Sequence, residues 1–305
     1  MYNYCNSIYC DKAMHVNIYT LEEIYKTYEN IDDHLSTRQI IRRFSENKND
    51  IRALTLEQCD LTYCKNILDL GCGYGFFTEA LSNKIASQAH ITGIDVIGGD
   101  NKKMFLSTCA QSGYAATFIE DSANIITEFP DASYDCVIAS YSLYFFPHLI
   151  EHIARILTSD GIFIALTHSE NTLTQITALF MESIQHILSM GDSSLHIIKL
   201  FQAFSAENGF LKLQPYFDYI TYIRYPNNLV FKSNDIDHCI HYIQKKQYLF
   251  FKDIASFDKE EYNALIEDFY NRLRWHAASY KEFVVNKDDA IFIARNPKLK
   301  DNGTQ

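Results

Sequence analysis

The sequence predicts an α/β protein built on a doubly wound, mostly parallel sheet. Three observations carry this reading. Strand-length apolar runs alternate with helix-period segments between residues 66 and 168, a glycine-rich turn closes the first run, and an aspartate closes the second. Alternation with helix-length crossovers makes successive strands parallel and puts helices on both faces. Ligands of such sheets bind beyond the carboxyl ends of the strands, near the point where strand order reverses. The residues that follow each strand are therefore the candidates for chemistry.

Residues 1–60 read as helices flanking the core. NILDL (66–70) is the first strand, and Phe77, Ala80, Leu81 and Ile85 then recur at helical spacing. HITGID (90–95) is the second strand, followed by a polar turn, GGDN, and a helix carrying Met104, Phe105 and Cys109. Residues 116–119 form the third strand. DCVIAS (135–140) is the fourth, nearly continuous in apolar character, as a strand covered on both faces should be. Ile150, Ile153, Ala154 and Leu157 mark an amphipathic helix, SDG (159–161) its turn, and IFIALTH (162–168) the fifth strand. GFLKLQPYFDYITYIRY (209–225) alternates and reads as the sixth strand, and DDAIFIARN (288–296) as a last, antiparallel one.

Between these strands lie amphipathic helices: Leu173, Ile176, Phe180, Ile184 and Ile187, then Ile236, Cys239, Ile240 and Ile243, then Tyr262, Leu265, Ile266 and Phe269. Inserted after the fifth and sixth strands, they are expected to form a lid above the carboxyl ends. That lid is rich in aromatics (Tyr242, Tyr248, Phe250, Phe251, Tyr270, Trp275), most of them its own core and some facing a largely apolar pocket. The chain thus divides into a helical segment over 1–60, an α/β core over 61–170, and the remaining strands with their lid over 171–305.

Composition narrows the function classes. The 305 residues hold 38 acidic and 27 basic side chains, a net charge of −11, which argues against nucleic acid as the main partner. Local basic patches remain around Arg38, Arg42 and Arg43 and around Lys245 and Lys246. No apolar run reaches the length of a membrane span, so no membrane association is expected. The opening MYNYCNSIYCDKAMHV lacks the layout of a signal peptide, which points to the cytoplasm. The eight cysteines contain no CxxC pair, so neither zinc, nor any other metal site, nor a disulfide framework is expected.

The first strand runs into Asp69-Leu70-Gly71-Cys72-Gly73-Tyr74-Gly75. Glycines there allow a tight turn and close approach of the backbone to a ligand. A dinucleotide fingerprint starting at Gly71 would want glycine where Phe76 stands, and one starting at Gly73 would want glycine or alanine where Thr78 stands. The pyrophosphate-binding form fails in both registers, which disfavours a nicotinamide oxidoreductase. Asp95, 22 residues beyond Gly73, ends the second strand, where a carboxylate can accept both hydroxyls of a ribose. An aspartate that merely caps the next turn is the weaker reading. The site reads a nucleoside without a pyrophosphate.

In ILDLGCGYG (67–75), GID (93–95), FIEDSANIITEFPDASYDCVIAS (118–140) and ILTSDGIFIALT (156–167), the chain resembles the class I S-adenosylmethionine-dependent methyltransferases over roughly residues 60–170. The resemblance implies a Rossmann-like seven-stranded sheet and S-adenosyl-L-methionine as cofactor. It also implies roles by position. Asp69 and the backbone of Gly71 and Gly73 would cradle the methionine part. Asp95 would hold the ribose, with Val96 beside the adenine; Asp121 and the backbone of Ser122 would meet the ring; Ser140 would line the floor near the sulfonium. The chain between Asp95 and Met104 is longer than is usual in the family, and EIYKTYEN (23–30), with Tyr28, loosely resembles the helix that closes over the cofactor.

The implied activity is methyl transfer by in-line displacement to an oxygen or nitrogen of a small, partly apolar organic acceptor. The segment SYSLYF (140–145) lacks the Asn/Asp-Pro-Pro-aromatic motif, against methylation of DNA adenine or of glutamine. His168, at the end of the fifth strand, is the candidate general base, because its ordinary pKa suits proton transfer near neutrality; a histidine that only caps the following turn, THSEN, is the competing reading. Tyr144, Tyr141 and His148 are candidates to bind the acceptor, and Glu170 to orient His168 or to hold a cationic substrate. A protein that binds the cofactor without catalysis, as a sensor or partner subunit, is the alternative.

Overall fold

The computed structural model describes residues 18–188 and 194–298. Three helices precede the sheet: α1 (Leu21–Tyr28), α2 (Ile31–Phe44) and α3 (Ile51–Leu56). Their starts are written in side chains. Thr20 and Glu23 form a reciprocal capping box on α1, and Asn30 accepts from the backbone of Asp32 and Asp33 at the start of α2.

The core then alternates β1 (Asn66–Leu70), β2 (His90–Asp95), α4 (Gly99–Gln111), β3 (Ala115–Glu120), β4 (Tyr134–Ser140), α5 (Ile150–Ile156) and β5 (Leu157–His168). Helices α6 (Thr174–Leu188), α7 (His196–Ala203) and α8 (Gly209–Leu213) lead to β6 (Phe217–Tyr225). Next come β7 (Asn228–Lys232), α9 (Ile236–Lys245), α10 (Gln247–Phe250), α11 (Lys259–Tyr280), β8 (Glu282–Asn286) and β9 (Asp289–Pro297).

Seven strands form one sheet in the order β3-β2-β1-β4-β5-β9-β6, while β7 and β8 make a separate antiparallel ribbon. Neighbours from β3 through β5 are parallel, and β9 runs antiparallel between β5 and β6. The chain builds outward from β1 to β3, then returns to place β4 on the other side of β1. That reversal opens a crevice over the carboxyl ends of β1 and β4. The alternation of side chains explains why both faces are covered. On β4, Val137 and Ala139 join one core with Leu68, Phe163 and Phe292, while Cys136 and Ile138 join the other with Ile67, Ile91 and Ile164.

Several boundaries differ from the sequence reading. The helical spacing after β1 yields only a 3-10 turn, Thr78–Leu81. Ser82 and Asn83 are weak helix formers, and Asn83 adopts a left-handed φ of 58° with its amide bonded to the Tyr114 hydroxyl. The GGDN segment belongs largely to α4, which starts at Gly99. SDG (159–161) is absorbed into β5, where the register against β4 shifts between Tyr134 and Cys136. The first part of the alternating 209–225 run is the short helix α8, because Leu213 is buried and the strand pairing begins only at Phe217. The six cysteines among the described residues are free and buried. No helix among those residues is long and apolar enough to cross a membrane.

Candidate active site at the carboxyl ends of the strands

The turn after β1 is tied to β2: the amides of Gly71 and Cys72 donate to the carbonyl of Ile94 at 2.8 and 3.1 Å. Gly71 has φ +73°, and a Cβ on it would fall 2.5 Å from the Cβ of Ser142. Only glycine fits there on both counts. Gly73, at φ +50°, is different, because a Cβ on it would meet no protein atom within 4 Å. Its amide donates to Asp95 Oδ2 at 2.8 Å, and the Ile97 amide donates to Oδ1 at 2.9 Å. Burial raises the Asp95 pKa, and these backbone donors oppose the rise.

Above this turn lies a cavity of about 1000 Å³ whose wall includes Gly71, Gly73, Asp95, Val96, Asp121, Ser122 and Ser140. Asp121 Oδ1 accepts from the Ser122 amide at 2.6 Å. The Ser140 hydroxyl oxygen is buried without a hydrogen-bond partner among the described residues. Tyr28 closes the cavity from α1, its carbonyl bonded by Asn101 Nδ2 at 3.0 Å and its ring under the Lys246 ammonium at 4.2 Å. The roof is clamped to the N-terminal helices by Lys252–Glu23 and Lys245–Asp33, each 2.6 Å, and by the Tyr19 hydroxyl donating to the Leu249 carbonyl at 2.8 Å.

At the other end of the cavity stands His168. Its ring stacks on Tyr141 and Tyr144, with centroids 4.8 and 5.6 Å away, and meets the ring of Phe201 edge-on at 5.1 Å. Nδ1 lies 2.7 Å from Asp289 Oδ1 and 3.1 Å from Lys287 Nζ. A lone pair on Nδ1 would face the carboxylate at close range, so Nδ1 carries the proton and donates to Asp289. Lys287 in turn donates to both oxygens of Asp289, at 2.9 and 3.3 Å, and the Tyr141 hydroxyl donates to Oδ2 at 2.8 Å. Nε2 is then left as the acceptor nitrogen. Burial first, and Lys287 second, lower the His168 pKa against the pull of Asp289, which keeps the ring neutral at pH 7. Burial would raise Asp289, but Lys287 and His168 hold it below its ordinary value.

Residues 67–161 match the family described as methyltransferase domain. A malonyl-acyl-carrier-protein O-methyltransferase of Bacillus cereus is 27% identical over 167 residues, covering 50% of this chain and 60% of the relative. The chain thus aligns with about three fifths of that relative's length. A candidate methyltransferase of Bacillus halodurans C-125 shares the fold, with a TM-score of 0.50 at 14% identity over 82% of this chain and all of the other. A phosphoethanolamine N-methyltransferase of Haemonchus contortus, in complex with phosphomonomethylethanolamine and S-adenosylhomocysteine, aligns at 14% identity with a TM-score of 0.48, over 90% of this chain and 59% of that one.

Residues 67–161 carry a methyltransferase domain of the class I, S-adenosylmethionine-dependent kind. The cofactor of this domain is S-adenosylmethionine, and two features of the cavity fit a ligand of that kind. The space beside Gly73 is one that a Cβ would enter, and the orphaned Ser140 hydroxyl lies in the same wall.

The cavity brings together Tyr28, Gly71, Gly73, Asp95, Val96, Asp121, Ser122, Ser140, Tyr144 and His168. Asp69 is the exception. Its carboxyl is 1% exposed, lies behind the turn and accepts from Thr78 Oγ1 at 2.7 Å, so it does not form the wall. Glu170 does not orient His168; it accepts from Ser205 and Asn208. His148 lines the cavity and pairs with Asn124 at 2.7 Å. Of the six lid aromatics, Tyr242 and Phe250 face the cavity. Phe251 packs on Phe180 and Phe269, and Trp275 is exposed. The sequence reading missed Asp289, Lys287 and Phe201. A signal for Asp289 existed: an antiparallel last strand brings its first residues against the end of the fifth, and His168 and Asp289 are register partners.

Proposed function

We propose that this protein transfers the methyl group of S-adenosylmethionine to an oxygen or nitrogen of a small, partly apolar organic acceptor, with His168 as general base. The observation that carries the reading is the His168–Asp289 pair, set in the wall of the same cavity as Gly73 and Asp95.

Asp95 would take the ribose hydroxyls, Asp121 and the Ser122 backbone the adenine edge, and Ser140 the region of the sulfonium. Asp69, lying behind the turn, would act with Gly71 and Gly73 on the methionine part through Oδ1, which has no hydrogen-bond partner among the described residues. When bound, the cofactor supplies an activated methyl carbon whose bond to sulfur breaks, with the electron pair returning to sulfur as the acceptor lone pair attacks in line. Alignment is the main task of the protein, and positioning can supply an effective molarity of about 10⁵–10⁸ M. His168 Nε2 receives the proton from the acceptor O–H or N–H, while Asp289 holds the tautomer and stabilises the imidazolium that results. The Tyr141 and Tyr144 rings fix the plane of the imidazole. The apolar side of the cavity, with Leu200, Phe201, Leu249 and Phe250, suits the body of an organic molecule.

The test is calorimetric titration with S-adenosylmethionine, S-adenosylhomocysteine and NADH, beside an Asp95→Ala control, followed by labelled-methyl transfer onto an acceptor panel. Both adenosyl ligands should bind, and the control should lose that binding. Binding of NADH alone would overturn the reading. Tight adenosyl binding with no transfer to any oxygen or nitrogen acceptor would favour the non-catalytic alternative.

A further inference from the structure

The chain carries a net charge of −11, yet its cavity does not share that sign. Apart from Asp95 and Asp121 at the cofactor corner, the charged wall consists of Arg38, Arg42, Lys48, Arg52, Lys246 and Lys287, against only Asp50 and Asp289. Three of these cations have carboxylate partners. Arg38 and Arg52 share Glu79, Arg52 also pairs with Asp50, and Lys287 pairs with Asp289. The others have none among the described residues. Lys48 Nζ caps the end of α2 through the carbonyls of Arg42 and Arg43 at 3.3 and 3.2 Å, the Arg42 guanidinium is exposed, and Lys246 rests on the Tyr28 ring.

A half-buried ammonium held over an aromatic face, with no bonded carboxylate, retains its donors for a ligand. The neighbouring Lys245, by contrast, is satisfied by Asp33. Six cations against four carboxylates leave the wall with an excess of positive charge, which attracts anions even where the whole molecule would repel them.

We propose that the acceptor is an anion: a small molecule bearing a carboxylate or phosphate on a partly apolar body, with Lys246 as its direct partner and Arg42 and Lys48 supplying the attracting field. The inference rests on the methyltransferase reading and adds the charge of the substrate. The anionic group serves as the handle that holds the molecule, separate from the atom that His168 deprotonates.

The experiment uses the full chain saturated with S-adenosylhomocysteine and titrated with four probes of similar size: benzoate, phenyl phosphate, benzyl alcohol and benzylamine. At least one anion should bind roughly ten-fold tighter than benzyl alcohol, the worth of one charge-assisted hydrogen bond. Benzylamine should bind weakest. Benzoate as the tighter anion would identify a carboxylate handle, and phenyl phosphate a phosphate handle. Lys246→Met should erase most of the preference, and Arg42→Ala should weaken it and reduce its salt dependence. Equal binding of the alcohol and the anions, or silence of both anions at tens of millimolar, would overturn the proposal while leaving the methyltransferase reading intact. So would a Lys246→Met variant that loses affinity for S-adenosylhomocysteine and keeps the anion preference, since Lys246 would then serve the cofactor. Failure of the wild-type protein to bind S-adenosylhomocysteine would remove the methyltransferase reading, and this inference with it.

Discussion

At the end of the cavity proposed for the cofactor, the candidate recognition groups are close in sequence, and backbone does much of the work. Gly73 and Asp95 are 22 residues apart and joined by a direct amide-to-carboxylate bond. At the acceptor end His168 and Asp289 are 121 residues apart and meet only because β9 inserts antiparallel beside β5. The first end follows from a turn and the strand after it, the second from the closing of the whole sheet. On the proposed roles, the cofactor is met by a local turn and the acceptor by side chains that only the assembled sheet brings together.

The largest expected effect lies at the acceptor end. His168→Gln should lower turnover by about 10²–10⁴-fold while leaving S-adenosylhomocysteine binding unchanged. Unchanged turnover would mean that this end binds the acceptor without moving a proton, and the contrast between the two ends would lose its chemical content.

The glycine turn sharpens the same comparison from the other side. Gly71→Ala forces a left-handed alanine into the Ser142 side chain and should destabilise the fold by about 3 kcal/mol, seen as a lowered thermal midpoint. Gly73→Ala meets no protein atom, so its stability cost should stay at about 1–2 kcal/mol, the left-handed term alone. Its affinity for S-adenosylhomocysteine should nonetheless fall roughly ten-fold or more, because the new methyl enters the ligand's space. If Gly73→Ala binds normally, the open space beside it is not where the cofactor lies.

These two ends also explain what was legible in the sequence. The turn, Asp95 and the order of β1 to β5 follow from apolar runs and glycines whose meaning is local. The left-handed Asn83, which ends the expected helix after one 3-10 turn, depends on the Tyr114 hydroxyl and is not visible locally. Glu170 was the nearer acidic neighbour of His168 in sequence, yet Asp289 holds the ring, because strand direction and not chain distance decides which residue faces it.

A smaller effect separates Lys287 from Asp289. His168 is held below its ordinary value of 6.5, so turnover should be level above that pH and fall as the ring protonates below it. Removing the neighbouring positive charge with Lys287→Met should raise the His168 pKa and move the acid limb of the rate profile to higher pH. An unmoved limb would mean that a group other than His168 sets the profile.

The last prediction concerns Asp69, a carboxyl of the cofactor end that is not part of its wall. Burial, opposed by the Thr78 hydroxyl and aided by Asp95, raises its pKa from 3.8 to about 7. A group that binds its proton more tightly when folded adds stability at low pH, and that contribution is lost as pH rises through the folded value. The wild-type protein should therefore lose this contribution between pH 3.8 and about 7, and Asp69→Asn should not. The amide inherits a buried position that has no partner at Oδ1 among the described residues, a cost independent of pH, so the measurement is how the difference in thermal midpoint grows with pH, not its sign at one pH. Bound S-adenosylhomocysteine then decides where Asp69 belongs. If the cofactor's ammonium reaches Oδ1, it favours the ionised carboxylate and the pH-dependent difference should shrink. If the carboxyl serves only to brace the turn through Thr78, the difference should persist with the ligand in place, and recognition at this end would fall to the backbone and Asp95.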